Sequence, residues 1–423
     1  MLKEMRVPVF DLISCLSNAM DMVDPVLVDH HKKVAYIALR VAKELGLSAE
    51  QEQDLVLAGI LHDIGALSLT DKLQALQFEF ENPHQHAKIG YMVLKMYEPF
   101  SKVATIIRFH HVPWHDGEGA EFEGQKVPLS SHILHLADRV AVSIQKQQEI
   151  LAQVSPVCGK IEQNAGEMFM PEIVNAFKAL AQKEYLWCDL ASNSISPILT
   201  QSIIMPTIEQ DIHALLSLSK LFAHIIDFRS RFTATHSSGV AATATTLAEF
   251  ARFTERECKM MTVAGYVHDL GKLAVPAEVL EKPAKLTEDE FNIIRRHPYL
   301  TYRALETING FDTINTWASF HHERINGSGY PFHHKGEDMP LGSRIMAVAD
   351  VFTAITEDRP YRKGMTEDSA MHVLQQMADN SFLDSDLVSL LRMHFDDINL
   401  SRKVAQAASV EEYEQLIKST TPH

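Results

Sequence analysis

Residues 260–272 read MMTVAGYVHDLGK, and residues 55–66 read LVLAGILHDIGA. In both runs apolar side chains recur at helical spacing, and each run ends on an adjacent histidine and aspartate. The same periodicity marks 34–47, 87–96 and 240–250, whereas strand-like alternation is short and rare and strong helix formers dominate. An all-α fold is expected.

Outward from the His-Asp pairs the chain repeats itself. His30 precedes His62-Asp63 by 32 residues, and His236 precedes His268-Asp269 by the same 32. His86 lies 24 residues before the doublet His110-His111, and His297 lies 24 before His321-His322. SSHILHLAD, ending at Asp138, parallels GSRIMAVAD, ending at Asp350. The offset between copies drifts only from 206 to 212, and seven ligand-type residues in one order do not match by chance. Two tandem helical domains joined by a helical linker are therefore expected, with boundaries at 1–145, 146–230 and 231–423. NSISPILTQSIIMPTIEQ, at 193–210, carries two prolines and reads as a break. Beyond it, 211–231 reads as a helix entering the second domain, 366–377 and 384–395 as helices completing it, and 411–418 as a further turn or two.

Composition bounds what these domains do. At 423 residues the chain is long for a single core. A net charge of −16 excludes a general DNA, RNA or anionic-membrane binder. A small anionic substrate would need local cations, namely metals and a few lysines or arginines. Cys15, Cys158, Cys188 and Cys258 are scattered without a CxxC pair, and no secretory signal is read. Free thiols and a cytoplasmic location are the expectation. No uncharged apolar run reaches the roughly 18 residues of a spanning helix.

Each copy supplies five histidines and two aspartates in the repeated pattern. Imidazole nitrogen with carboxylate oxygen suits Fe, Mn, Zn or Ni and suits Mg poorly. Neighbouring side chains on a helix diverge by about 100°, so the histidine of a pair can face one ion while the carboxylate bridges to another. Such a bridge holds two cations roughly 3.5–4 Å apart; a hydroxide between them is a nucleophile at neutral pH, and the ions neutralise phosphoryl charge. One helical His-Asp pair alone is more often a cap or a surface contact; the doubled pattern is what argues for metal. Lys272 follows His268 by about one helical turn and can face the same pocket. Arg359, Arg362 and Lys363 form a positive cluster, read either as a phosphate clamp or as a solvated loop. Tyr330 either stacks a base or packs within its turn, and the glycines of INGSGYP mark a tight loop in either case.

HDLGK at 268–272, HHERINGSGYP at 321–331 and DVFTAITEDRPYR at 350–362 resemble the HD-GYP branch of the HD superfamily of phosphohydrolases, over about 232–365. HDIG at 62–65 resembles the wider HD group, over about 30–140. The resemblance implies that His236, His268, Asp269 and Asp350 bind one ion, and that Asp269 bridges to a second held by His297, His321 and His322. It implies that Lys272 and Arg359 bind substrate phosphates, with Arg362 beside them, and that Gly329-Tyr330-Pro331 shapes the wall. The activity it implies is hydrolysis of a cyclic dinucleotide, c-di-GMP or 3′,3′-cGAMP, to a linear 5′-phosphorylated dinucleotide; the tandem arrangement resembles the cGAMP-directed subset. Two departures matter. Phe232 stands where three-metal members carry a glutamate, so two ions are expected, Fe or Mn first and Ni or Zn next. Asn326 stands where the loop usually carries an aspartate.

The first copy keeps His30, His62, Asp63, His86, His110, His111 and Asp138. His31 rivals His30, but the matched 32-residue spacing selects His30. Ala66 replaces Lys272, HHVPWHDGEG replaces the GYP loop, and nothing like DRPYR follows Asp138. This copy is read as a second phosphohydrolase acting on a 5′-phosphate, as a regulatory metal or nucleotide binder, or as a packing relic. For the whole chain the alternatives to the phosphodiesterase are a non-hydrolytic cyclic-dinucleotide sensor and a general nucleotide phosphohydrolase. Signalling partners and a homodimer both remain open.

Overall fold

The computed structural model describes residues 7–22, 28–66, 75–78, 83–192, 195–203, 212–228, 235–282, 284–358 and 363–418. Among them the fold is all-α; its only sheet pairs Glu121–Phe122 with Gln125–Lys126. No helix among these residues is long and apolar enough to cross a membrane, and the four cysteines are free.

The chain divides into two compact units, 24–207 and 1–23 with 208–423. The first contains α2 (His30–Glu44), α3 (Ala49–Leu61), α4 (Pro83–Lys95), α5 (Ser101–Arg108) and α6 (Leu129–Ser143), then α7 (Val154–Gln163), α8 (Pro171–Ala181), α9 (Glu184–Ala191) and α10 (Ile195–Ser202). The second contains α1 (Val9–Asp21), α11 (Ile212–Phe228), α12 (His236–Phe250), α13 (Glu255–Val267), α14 (Ala277–Leu280), α15 (Glu288–Ile294), α16 (His297–Leu305), α17 (Asp312–Ser319), α18 (Leu341–Thr356), α19 (Glu367–Asp379), α20 (Ser385–Met393) and α21 (Phe395–Lys418).

The repeat extends into details that hold the helices. Ser48 and Gln51 form a capping box at the start of α3, and Thr254 and Glu257 form one at the start of α13. Gly59 and Gly265 let paired helices touch: a Cβ would sit 2.6 Å from Ala35 Cα in the first unit and 2.4 Å from Ala241 Cα in the second. Six residues later, a Cβ on Gly65 or Gly271 would lie 2.1 or 2.0 Å from the carbonyl oxygen of His86 or His297. The glycine after each His-Asp pair therefore lets the pair's loop reach the helix carrying the third histidine.

The domain boundaries differ from the sequence expectation. Residues 9–21, expected in the first domain, pack on residues 270–274 and on α16 of the second unit. The expected linker 146–230 is divided: α7–α10 join the first unit and α11 packs on α13 in the second. Trp114, His115 and Asp116 donate their backbone N–H groups to the carbonyls of Met168, Glu167 and Gly166, and Trp187 is fully buried. The break falls at Thr207–Ile208, within the proline-bearing stretch. The helices expected at 384–395 and 411–418 are observed as α20 and as the end of the 24-residue α21, which begins at Phe395. His394, between them, stacks on Phe250 at 3.6 Å.

Candidate metal centres

In the second unit helix ends converge on one buried point. His236 opens α12, His268 closes α13, His297 opens α16, His321-His322 follow α17, and Asp350 lies inside α18. Ligand atoms of His236, His268 and Asp350 fall within 4.8 Å of one another, as do those of His268, Asp269 and His321, and those of His297, His321 and His322. Asp269 stands between the groups, with Oδ2 3.3 Å from His268 Nε2 and Oδ1 3.2 Å from His297 Nε2. His236 Nε2 is 3.2 Å from Asp350 Oδ1, and His322 Nδ1 is 3.9 Å from Asp350 Oδ2.

The rings are aimed by their outer nitrogens. Nδ1 of His268, His297 and His321 lies 2.8, 2.8 and 2.6 Å from the carbonyl oxygens of Gly265, Ile294 and Ala318, three residues upstream in each case. A donating Nδ1–H leaves Nε2 with its lone pair inward, the tautomer a metal requires. His236 Nδ1 instead meets Glu357 Oε2 at 3.2 Å, and Gln406 Nε2 donates to the same oxygen. Ser237, beside it, donates through N and Oγ to the buried Asp227.

The first unit repeats this geometry. His62 Nε2 lies 3.3 Å from Asp63 Oδ2, His86 Nε2 3.4 Å from Asp63 Oδ1, and His30 Nε2 3.4 Å from Asp138 Oδ1. The groups His30, His62, Asp63 and His86, His110, His111 each gather within 4.8 Å. Nδ1 of His62 and His110 faces Gly59 O and Ile107 O.

The donor sets fit cations. His30 Nε2, His62 Nε2, Asp63 Oδ1, His110 Nε2, Asp138 Oδ1, His268 Nε2 and Asp269 Oδ1 are buried without a hydrogen-bond partner among the described residues. Buried polar atoms are rarely left so unless something else satisfies them. Burial alone would raise the Asp269 carboxyl, but His268 and Lys272 hold it well below the usual carboxylate range. Asp63 is held low against burial in the same way, by His62 and His86. Burial pushes His110 and His321 well below the usual imidazole range, and burial with repulsion from His297 takes His322 down to about 3. Ionised carboxylates facing neutral imidazoles are the ligand-ready state. His62 and His236 are the exceptions: despite burial, Asp63 and Asp138 raise the first to about 10, and Glu357 and Asp350 raise the second to about 10.

Lys272, placed beside His268 by its spacing, donates through Nζ to Asp269 Oδ2. Around these groups the structure also adds residues that the repeat did not select. His31 Nε2 lies 4.0 Å from Asp63 Oδ2, and the His135 ring packs 5.6 Å from His111. Arg139, 1% exposed, donates to Asp138 and to the carbonyls of Ala75, Gln77 and Phe78. Arg139 occupies the place of Val351 in the other copy, a divergence visible in the aligned repeats. Glu357 sits inside the quoted DVFTAITEDRPYR segment, yet repetition could not flag it because Gln145 occupies its place in the first copy.

Tyr330 packs its ring 4.9 Å from that of His322 and lies under the Arg295 guanidinium at 5.4 Å. Asn326 Oδ1 accepts from Ser328 N and closes its own turn. The loop behind Tyr330 hangs on Glu323, 1% exposed, whose carboxylate accepts the backbone N–H groups of Phe332, His333 and His334 at 2.6, 3.2 and 3.1 Å. Glu323→Gln turns one acceptor into a donor and leaves a part-buried N–H without its acceptor, a cost of about 1 kcal/mol. Limited proteolysis of the variant is expected to cut within 326–334 several-fold faster than in wild type; equal protection would show that the carboxylate does not hold the loop. Lys363 is exposed. Arg359, Arg362 and Phe232 lie outside the described residues.

Comparison with known proteins places this geometry in a family. The HD domain family matches residues 220–387 and, separately, 27–143. The chain is 30% identical over 394 residues to 3′3′-cGAMP-specific phosphodiesterase 1 of Vibrio cholerae, covering 89% of each chain. It is 25% identical to 3′3′-cGAMP-specific phosphodiesterase 3 of the same organism, over 87% of this chain and 91% of that one. The cyclic di-GMP phosphodiesterase response regulator RpfG of Xanthomonas campestris is 39% identical over 178 residues, 42% of this chain and 47% of that one. Among solved structures, a cyclic GMP-AMP specific phosphodiesterase of V. cholerae, V-cGAP3, superposes with a TM-score of 0.65 at 23% identity. It covers 93% of this chain and 98% of that one, a likeness of fold.

Proposed function

Because the chain belongs to the tandem HD-domain family of metal-dependent cyclic-dinucleotide phosphodiesterases, we propose that its second unit opens 3′,3′-cGAMP to a linear 5′-phosphorylated dinucleotide. The observation that carries this reading is the buried donor set around Asp269, in which His268 Nε2 and Asp269 Oδ1 have no hydrogen-bond partner among the described residues. The choice of messenger follows coverage. The relatives matched along both HD domains are named for 3′3′-cGAMP, whereas the RpfG match spans under half of this chain.

Two divalent ions, Fe or Mn, fit the set: His236, His268, Asp269 and Asp350 for one, and Asp269, His297, His321 and His322 for the other. When bound, such ions neutralise phosphoryl charge and acidify water. The chain's own residues supply the rest. Lys272 moves from Asp269 to a phosphate oxygen of the substrate, and Tyr330 with His322 walls the site. Arg359 adds the phosphate contact implied by the family motif, and Arg362, three residues on, adds a second positive charge. The first unit keeps a complete donor set, which favours a second phosphohydrolase or a regulatory ligand site over a packing relic.

The test is product chromatography of Mn-loaded chain given 3′,3′-cGAMP or c-di-GMP. A linear 5′-phosphorylated dinucleotide, formed faster from 3′,3′-cGAMP, is expected. Faster cleavage of c-di-GMP would overturn the messenger assignment; cleavage of neither ring under Mn or Fe would leave a non-hydrolytic sensor.

A further inference from the structure

The two clusters are alike, but their surroundings place positive charge on different walls. In the second unit Lys272 is four residues beyond His268; the equivalent residue of the first is Ala66. Three residues beyond His236 is Gly239, where a Cβ would meet Gln406 and Thr353 at 2.8–2.9 Å. Three residues beyond His30 is Lys33. Seven and eight residues beyond Asp350 come Glu357 and Asp358, whereas the same steps beyond Asp138 reach Gln145 and Lys146. The wall that is acidic in one unit has become basic in the other.

That wall lines a cavity. A space of about 450 Å³ opens beside His30, bounded by Lys33, Lys146, Gln145, Leu76, Val142 and Ile144. A second cavity, of about 210 Å³, shares Lys33, Ile144, Gln145 and Lys146 with the first. Lys146 Nζ is tethered near the mouth by donation to Val28 O at 3.0 Å. The carboxylate on this side, Asp29, is engaged by Lys32 at 3.0 Å. The larger volume falls within the roughly 300–1,000 Å³ of small-molecule sites. Its aliphatic walls suit a base and ribose, and its ammonium groups suit an anion.

We propose that this cavity binds the terminal phosphate of a nucleotide, held by Lys33 and Lys146 at the edge of the His30 cluster. A terminal phosphate carries about −1.5 to −2 charges at neutral pH, more than the single charge of each diester in a cyclic dinucleotide, and two lysines match it. In a chain of net charge −16 the attraction has to be local. The proposal rests on reading the first cluster as a ligand-bearing site, and it names the residues and the chemical class that reading leaves open.

The probe is AMP, titrated calorimetrically into the full chain carrying Asp269→Asn and Lys272→Met, so that the second unit does not compete. Saturable AMP binding is expected, with adenosine much weaker. Lys33→Met and Lys146→Met, which keep the aliphatic stems, should each weaken AMP by roughly tenfold, and Lys33→Arg should restore most of the loss. No AMP binding, equal binding of adenosine, or unchanged affinity in the double methionine variant would overturn the proposal. Ring opening is measured separately, in a chain whose second unit is intact. Its absence there would sink the phosphodiesterase reading and leave the AMP titration to stand by itself, whereas the lysine double variant should open the ring at the wild-type rate.

Discussion

Asp269→Asn is expected to lower the rate of ring opening on the order of a thousandfold and to remove bound metal from the second unit. Asp269 is 2% exposed, and it faces both halves of the cluster at close range, through His268 on one oxygen and His297 on the other. Asparagine keeps the shape, so the fold should survive. The exchange deletes the negative charge and turns an N–H₂ donor toward imidazoles whose Nδ1 atoms already lie against backbone carbonyls. Steady-state rates and metal analysis on the same sample make the check. A rate within tenfold of wild type with metal content retained would show that Asp269 does not join the two halves. Loss of metal with a preserved rate would move the reaction out of this unit.

The repeat made most of this site legible. Spacings of 32 and 24 residues, recurring in both copies, selected the clustered residues before any fold was known. Helical periodicity gave the class and most helix positions. What it withheld was the core each helix joins. The pattern at 9–21 fits any apolar groove, and only tertiary contact assigns it to residues 270–274 rather than to the neighbouring first unit. The same limit hid the division of 146–230. Residues acting at a distance along the chain were hidden for another reason. Glu323 and Glu357 are acidic side chains in polar segments, ordinary surface residues by composition. Their burial appears only once three backbone donors and the His236 ring are folded onto them. His31 was set aside by spacing, yet it packs within the first cluster, because a doublet at a helix start can turn both rings inward.

Lys272→Met is expected to separate two roles that Asp269→Asn merges. Lys272 Nζ pairs with Asp269 Oδ2, the oxygen that also faces His268. Burial works against the lysine charge, but Asp269 more than compensates and keeps the ammonium protonated. As a cation on the carboxylate it competes with metal; as a cation beside a phosphate it assists the reaction. Removing it should therefore leave metal affinity equal or higher and lower kcat about a hundredfold, the scale of losing one preorganised charge at a phosphoryl group. Arginine at 272 would restore part of the rate through its own charge while fitting the pocket less well. If the methionine variant loses metal in step with activity, the lysine is a packing element of the cluster and not a phosphate ligand. The first unit offers the comparison within the same molecule. With Ala66 at this position, no ammonium pairs with Asp63 among the described residues, and the Arg139 guanidinium donates to Asp138 and three carbonyls. Whatever anion the first unit takes must be met from another wall, which is the side where Lys33 and Lys146 stand.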